Sequence, residues 1–221
     1  ISGVDAVANS ADWLTSEGAD IETLEKLRER YILRWMGNNG MTKYAYASWA
    51  LSVTGTVAVK VLDQHPRGQG TVDVIVKGAA GIPTDALLED VRQAVATGAK
   101  PEDVQAGPPV NDDWQARGPQ AVPLAITGAL TLYPGTHADS AKAEAAQRLR
   151  ALFTDPASVK GITPLQIGED VTLDRLTAAV MAVPGVKKVD WAAPDSDVAV
   201  AADALATLES LTLTAAEASE E

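Results

Sequence analysis

The sequence has no cysteine, one phenylalanine and two histidines. The absence of cysteine excludes disulfides, thiolate nucleophiles and cysteine zinc sites. No apolar run approaches the roughly 20 residues that span a bilayer. No basic segment is followed by an apolar stretch of the kind that forms a signal peptide. We therefore expect a soluble chain that does not insert into membranes.

Basic residues are also scarce, and their scarcity limits the partners. The 221 residues include 18 lysines and arginines against 30 aspartates and glutamates, which gives a net charge of −12 and a pI near 4.6. A surface of that sign repels nucleic acid phosphates, so we expect no nucleic acid partner. The length suffices for one large or two small domains.

The sequence does contain a short glycine motif that occurs three times, around Gly3, Gly55 and Gly185. In each copy a β-branched residue and a spacer precede the glycine, and an extended run follows it. A helical pattern also precedes Gly55 and Gly185. Glycine adopts positive φ without a Cβ clash. We therefore predict that these three glycines are structural turn residues that lead into strands.

Apolar periodicity predicts the other elements. Helices are predicted over residues 20–36, 42–52, 83–95, 139–153 and 173–183. Strands are predicted over residues 57–62, 71–76, 124–133 and 186–191, with one or two more within 198–213. The proline- and glycine-rich stretch 98–123 is predicted to be irregular. A helix followed by a strand pair, repeated, predicts an α+β fold of two small mixed α/β domains, in which helices pack on short strand pairs.

Few residues are candidates for catalysis or metal binding. His65 and His137 are the two histidines, and both lie in predicted turns, where a solvated side chain is expected. They are 72 positions apart and show no metal-ligand spacing.

The aspartate pairs are the other candidates. Asp112 and Asp113 beside Trp114 suit a glycosidase-like pair or a sugar platform, although adjacent carboxylates point in different directions. Asp195 and Asp197 imitate part of a calcium loop but lack its later glycine and terminal glutamate. We predict no catalytic, cofactor-binding or metal-binding residues, no cofactor and no enzymatic activity.

Five tryptophans accompany the single phenylalanine. Trp35, Trp49 and Trp191 lie on the faces of predicted elements, so a place in the core or at an interface is expected for them, with core packing favoured. Trp13 and Trp114 lie in predicted irregular segments, where a large ring anchors either a loop or a partner. Trp13 and Trp114 are therefore candidate interface residues.

An ordered set of motifs covers nearly the whole chain. The motifs are Ile1-x-Gly3-Val4-Asp5-x-Val7-x-Asn9, Gly18-Ala19-Asp20-Ile21-Glu22-Thr23-Leu24, Gly37-Asn38-Asn39-Gly40, Gly70-Thr71-Val72-Asp73-Val74, Ile82-Pro83, Pro184-Gly185-Val186 and Pro194-Asp195. In this order and spacing they resemble the baseplate J-like family, the wedge proteins of contractile phage tail baseplates of the Mu-like or P2-like kind.

The resemblance implies a structural component of a phage or prophage baseplate that acts through protein–protein contacts. It implies residues 1–19 as the remnant of a missing N-terminal domain and linker, a middle α/β domain over 20–100, a linker or irregular excursion over 101–122 and a C-terminal α/β domain over 123–221. The implied partners are other wedge and hub proteins around a six-fold assembly of copies. The implied location is the virion tail baseplate, assembled in the bacterial host cytoplasm.

Two alternatives stay open at this point. Trp114 beside Asp112 and Asp113 suits a carbohydrate- or receptor-binding module on the same particle. The same carboxylates, or His65, suit a hydrolase. A hydrolase requires these groups to cluster in a deep pocket with a second polar partner.

Overall fold

The computed structural model describes residues 23–36, 42–99, 107–154, 159 and 161–218. The helices in this part of the chain are α1 Leu24–Met36, α2 Lys43–Leu51, α3 Asp85–Ala96, α4 Ala138–Phe153 and α5 Leu173–Met181. The strands are β1 Thr56–Leu62, β2 Thr71–Gly78, β3 Asp113–Arg117, β4 Gln120–Leu132, β5 Val186–Ala193 and β6 Ala204–Glu217. The predicted α+β fold is confirmed. None of the described helices is long and apolar enough to cross a membrane.

Threonine caps fix the start of three helices. The hydroxyl oxygens of Thr42, Thr84 and Thr172 each accept a hydrogen bond from the backbone N–H three residues ahead, where α2, α3 and α5 begin. Such a cap satisfies one of the N–H groups that lack a partner in the first helical turn. The starts of these helices are therefore determined by residues close to them in the sequence.

The first sheet has the strand order β1-β2-β3. β1 pairs antiparallel with β2, and β2 pairs parallel with β3. The central strand β2 is buried along almost its whole length. Side chains of α2 and α3 pack on this sheet to form the first core, whose buried members are Ala45, Tyr46, Trp49, Ala50, Val74, Val76, Leu88, Val91, Val95 and Ala116.

The second sheet has the strand order β5-β4-β6, with β4 antiparallel to β5 and parallel to β6. From Leu124 to Leu132 every second side chain of β4 is buried. Because successive side chains of a strand point to opposite faces, this alternation places one face of β4 against a core. Helices α4 and α5 supply the other side of this second core, with Leu149, Leu176 and Val180 among its buried members.

The predicted irregular stretch 98–123 is wrong for residues 113–117 and 120–123, which belong to β3 and β4. β3 has only five residues, of which Trp114 and Ala116 are apolar, so its alternation is too short to recognise. Pro123 suggests a break, but it lies where β4 pairs with β6 and not with β5. A proline is tolerated where one side of a strand needs no N–H donor. The first predicted strand pair therefore gains the unpredicted strand β3, whereas the strand predicted within 198–213 is found as β6, and the proposed domain boundaries stay a prediction.

Candidate functional site

Strand β2 carries a buried carboxylate at Asp73, which is 1% exposed. Arg67 Nε lies 2.7 Å from Asp73 Oδ1, and Arg117 Nε lies 3.0 Å from Asp73 Oδ2. Both carboxylate oxygens thus accept a charge-assisted hydrogen bond, which a buried charge requires if it is not to cost several kcal/mol. Arg67 comes from the loop between β1 and β2, and Arg117 comes from the end of β3.

The two arginines extend this network beyond Asp73. Arg67 also pairs with Asp113, with 3.0 Å between Nη1 and Oδ2. Its hydrogen bonds to Asp73 and then to Asp113 raise the pKa of the Arg67 guanidinium. Burial lowers the pKa of Arg117, but its hydrogen bonds to Asp203 and Asp73 outweigh burial, and its pKa lies above the ordinary value. Both arginines are therefore permanent cations in this network.

Arg117 carries the network from the first sheet to the second. Its Nη2 lies 2.9 Å from Oδ2 of Asp203, in the turn before β6. The backbone N–H of Gln120 donates to the carbonyl oxygen of Asp203 at 3.0 Å, and the Gln120 side chain approaches the Asp203 carboxylate at 3.4 Å. The turn before β6 is therefore bound to the segment that joins β3 to β4.

Two lysines of the first sheet make a second connection. Lys77 of β2 is 1% exposed, and its Nζ donates to the carbonyl oxygen of Leu165 at 2.8 Å. Lys60 of β1 donates to the carbonyl oxygen of Ile167 at 3.2 Å. Both carbonyls belong to the segment between α4 and α5. We call the contacts of Lys60, Lys77 and Arg117 with Leu165, Ile167 and Asp203 the junction.

The junction was not predicted from the sequence. Its one local signal is the pair of charged residues, Asp73 and Lys77, inside the otherwise apolar strand β2. A charge at a buried strand position needs a partner, so the pair could have indicated a polar contact. The partners of Asp73 and Lys77 lie up to 88 positions away from them, as for Lys77 and Leu165, and no periodicity connects them.

Helix α1 presents large apolar side chains to solvent. Leu24, Leu27, Tyr31 and Trp35 are 67%, 43%, 67% and 71% exposed. We call these four side chains the α1 stripe. Core packing was expected for Trp35, and this prediction is wrong, whereas Trp49 is buried and Trp191 packs against the second core. The apolar period identified a helix face correctly, but it cannot say whether the surface that covers this face belongs to the same chain.

The two histidines lie apart from each other in the fold. His65 has a positive φ of 55° in the loop between β1 and β2, and its Nδ1 accepts a hydrogen bond from the N–H of Gly70 at 3.2 Å. His137 precedes α4 and makes no side-chain cap hydrogen bond. The structure does not bring these two predicted candidates together.

The two adjacent aspartates have separate partners. Asp112 Oδ2 accepts a hydrogen bond from the hydroxyl of buried Tyr46 at 2.7 Å. Burial, followed by the hydrogen bond and the charge of Asp112, raises the pKa of the Tyr46 phenol. Asp113 pairs instead with Arg67. Trp114 is half-buried in β3 and packs against the first core, so its ring does not stand free as a platform.

Asp195 and Asp197, which imitate part of a calcium loop in sequence, make local hydrogen bonds, and Asp197 contributes to the start of α5. Asp197 Oδ1 accepts a hydrogen bond from the N–H of Leu173 at 2.8 Å, while Asp195 accepts one from Ser196. Asp197 thus adds a second acceptor at the start of α5, beside the cap of Thr172. Within the described ranges no group of three or more acidic or histidine side chains is placed to hold a metal ion.

Two of the three glycines of the repeated motif lie at turns before strands. Gly55 and Gly185 have φ of +96° and +89°, immediately before β1 and β5. A Cβ at Gly55 would meet Leu87 at an ordinary 3.6 Å, but a Cβ at Gly185 would overlap the side chain of Thr136. Gly3 and Trp13 lie outside the described residues.

The chain matches two family models. The Baseplate J-like central domain matches residues 38–118, and the Baseplate J-like protein C-terminal domain matches residues 124–214. The two matches together cover more than half of the chain, and each contains one of the two sheets almost whole. The chain therefore belongs to the Baseplate J-like family, as the order of its motifs predicts.

Individual relatives agree with this assignment. Baseplate protein J of Escherichia phage P2 is 30% identical over 155 residues, which are 70% of this chain and 46% of that protein. The gp29 protein of Haemophilus phage HP1 (strain HP1c1), whose name assigns it provisionally to the baseplate, is 33% identical over 99 residues, 43% of this chain and 25% of that protein. The chain thus spans less than half the length of either relative.

A similar fold occurs in a solved assembly. A chain of the cryo-EM structure of the anti-feeding prophage (AFP) baseplate, 6-fold symmetrised, superimposes with a TM-score of 0.56 at 13% identity. The match covers 85% of this chain and 42% of that chain. At this identity the likeness concerns the fold alone.

Proposed function

We propose that the chain is a structural part of a contractile-tail baseplate, a wedge subunit that acts through protein contacts and not through catalysis. The family supports the baseplate, and the observation that carries the contact role is the exposed α1 stripe. Four large apolar side chains on one helix face form a surface of the kind that marks a protein contact.

The junction supports the proposal that the chain is a rigid part of the baseplate. Ion pairs and lysine-to-carbonyl hydrogen bonds connect the two sheets through buried or half-buried side chains. A part that holds geometry in an assembly benefits from such fixed contacts, because force applied to one sheet then moves the other. We propose that each sheet with its helices is one domain, and that the boundary lies near the segment between β3 and β4.

The partners in this proposal are other wedge and hub proteins, with copies of the chain arranged around the six-fold axis of the tail. The proposed location is the tail baseplate of a phage, a prophage or a related injection device, assembled in the host cytoplasm. The name of the AFP assembly, a six-fold symmetrised baseplate, lends support by analogy of fold.

A labelled copy tests the proposal. A peptide tag would be fused to the C-terminus of the full-length protein, and purified particles would be stained with gold-conjugated antibody and imaged by negative-stain electron microscopy. We expect gold at the end of the tail distal to the head. The same tag on an unrelated host protein serves as the control and should leave particles unlabelled. Label on the head or sheath, or none on intact particles, would contradict the proposal.

A further inference from the structure

The surface of α1 is divided by charge as well as by hydrophobicity. Successive helical residues are about 100° apart, so the α1 stripe lies within about 80° of the helix surface. On the same wheel Arg28 and Arg34 lie on either side of it, each about 60° from its middle. The stripe is therefore an apolar seam with an arginine along each edge, and beyond Arg28 the half-exposed Ile32 lies about 100° from the middle of the stripe.

The acidic residues of α1 lie away from that seam. Glu25 and Glu29 are about 120° and 160° from the middle of the stripe. Leu33 is also on the far side and is half-buried, and α1 contacts α2. The helix has four basic and two acidic residues, a net +2 in a chain of net −12. The outward face of α1 thus has the charge opposite to that of the chain as a whole.

We propose that the α1 stripe docks an amphipathic helix of another protein whose own apolar seam is flanked by carboxylates. Opposite charges beside a helix–helix seam select the partner and its orientation, as they do at the flanking positions of coiled coils. The inference rests on the proposed function and adds the chemistry of the partner surface.

A second copy of the chain fits this surface poorly. Pairing of α1 with α1 would place arginines beside arginines at the seam, which is unfavourable. The other large apolar side chains exposed in the described ranges are Ile32, which lies on α1 outside the stripe, and six that are dispersed over the fold, namely Tyr44, Leu51, Ile82, Val110, Tyr133 and Met181. None of the other described helices presents a row of four such side chains to a neighbour.

An anionic membrane is the other surface that attracts a basic amphipathic helix. The four residues of the stripe span only about 80°, as a helix seam does, and the net charge of −12 of the chain opposes an anionic membrane, but exposed Ile32 widens the apolar arc on one side to about 140°. Vesicles are therefore included in the test as a competing outcome.

The experiment uses the purified full-length chain and two synthetic helices, each about three heptads long with leucine at the seam positions. One peptide has glutamate at the flanking positions, and the matched peptide has lysine there. Binding is measured by fluorescence anisotropy of the labelled peptides. We expect the glutamate peptide to bind at least roughly tenfold more tightly at about 50 mM salt, and this preference to shrink at about 0.5 M salt.

Variants of exposed residues then separate the seam from its charges. Tyr31→Glu should weaken the binding of the glutamate peptide by roughly tenfold or more. The double variant Arg28→Glu, Arg34→Glu should reverse the preference toward the lysine peptide. Glu29→Ala, on the far side of α1, should leave both affinities unchanged. Circular dichroism of each variant checks that the fold is retained.

Several results would overturn the inference. These are equal binding of both peptides, no binding of either, an unchanged preference in the double arginine variant, or self-association of the chain that Tyr31→Glu abolishes. Binding to phosphatidylglycerol vesicles in place of the glutamate peptide would assign the stripe to a membrane. Gold label at the tail end together with any of these results would leave the baseplate proposal standing and remove only this one.

Discussion

Arg117 Nη2 lies 2.9 Å from Asp203 Oδ2, and this ion pair joins the end of β3 in the first sheet to the turn before β6 in the second. The two side chains are only 26% and 24% exposed, so solvent screens them less than a surface pair. The pair is one of the contacts that fix the sheets relative to each other.

A double-mutant cycle measures the strength of this contact. We expect Arg117→Ala and Asp203→Ala to show a coupling free energy of about 1 kcal/mol in urea unfolding, because the pair is partly desolvated and hydrogen-bonded. The matched control is the pair of Lys142 and Asp139 on α4, where Asp139 is 97% exposed. A surface pair of that kind should couple by no more than about 0.5 kcal/mol. Equal coupling in the two pairs would show that the junction contributes no special rigidity.

The two turn glycines should differ in their tolerance of alanine. Gly185→Ala should lower the free energy of unfolding by about 3 kcal/mol, because it adds overlap with Thr136 to the cost of positive φ. Gly55→Ala has only the cost of positive φ, about 1 kcal/mol, since its Cβ would meet Leu87 at an ordinary distance. Thermal or urea unfolding gives both values. A larger loss of stability in Gly55→Ala than in Gly185→Ala would contradict this difference between the two turns.

Stability at alkaline pH should depend on Tyr46. Burial and the Tyr46 hydrogen bond to Asp112 raise the phenol pKa in the folded chain above the ordinary value near 10. The folded state then holds its proton more firmly than the unfolded state, so this stabilisation is complete below about pH 10 and is lost as pH rises toward the folded pKa. Urea unfolding between about pH 8 and pH 11 should show a steeper loss in the parent chain than in Tyr46→Phe. Identical slopes would contradict a buried, protonated phenol.

Trp114 distinguishes packing from sugar recognition. Because the ring is half-buried against the first core, Trp114→Ala should lower the free energy of unfolding by about 2 kcal/mol. The chain should show no saturable binding on a glycan array, either before or after the substitution. Saturable glycan binding that disappears in Trp114→Ala while the fold is retained would revive the carbohydrate-binding alternative.

The elements that could be predicted from the sequence are those that depend on nearby residues. Thr42, Thr84 and Thr172 indicate where their helices begin, because the hydroxyl that accepts the cap hydrogen bond and the backbone N–H that donates it lie three residues apart. The glycines before β1 and β5 are visible for the same reason, since positive φ is a property of one residue. The family could also be identified from motifs in order along the chain.

Features that depend on distant residues could not be predicted in this way. The third strand of each sheet pairs in parallel with a strand remote in sequence, and β3 is too short to show its alternation. Arg117 as a partner of Asp73, and Leu165 as the partner of Lys77, become apparent only when β3 and the segment after α4 are placed beside β2. For α1, the apolar period predicts a face, whereas the exposure of Trp35 depends on whether any other part of the chain covers that face.

The most direct measurement of the central claim is a cryo-EM map of tail particles from the source that encodes this chain. We predict density in the baseplate into which both sheets fit as one block, with the ion pair between Arg117 and Asp203 intact and a neighbouring protein over the α1 stripe. A baseplate resolved to side-chain detail in which this fold is absent would contradict the account.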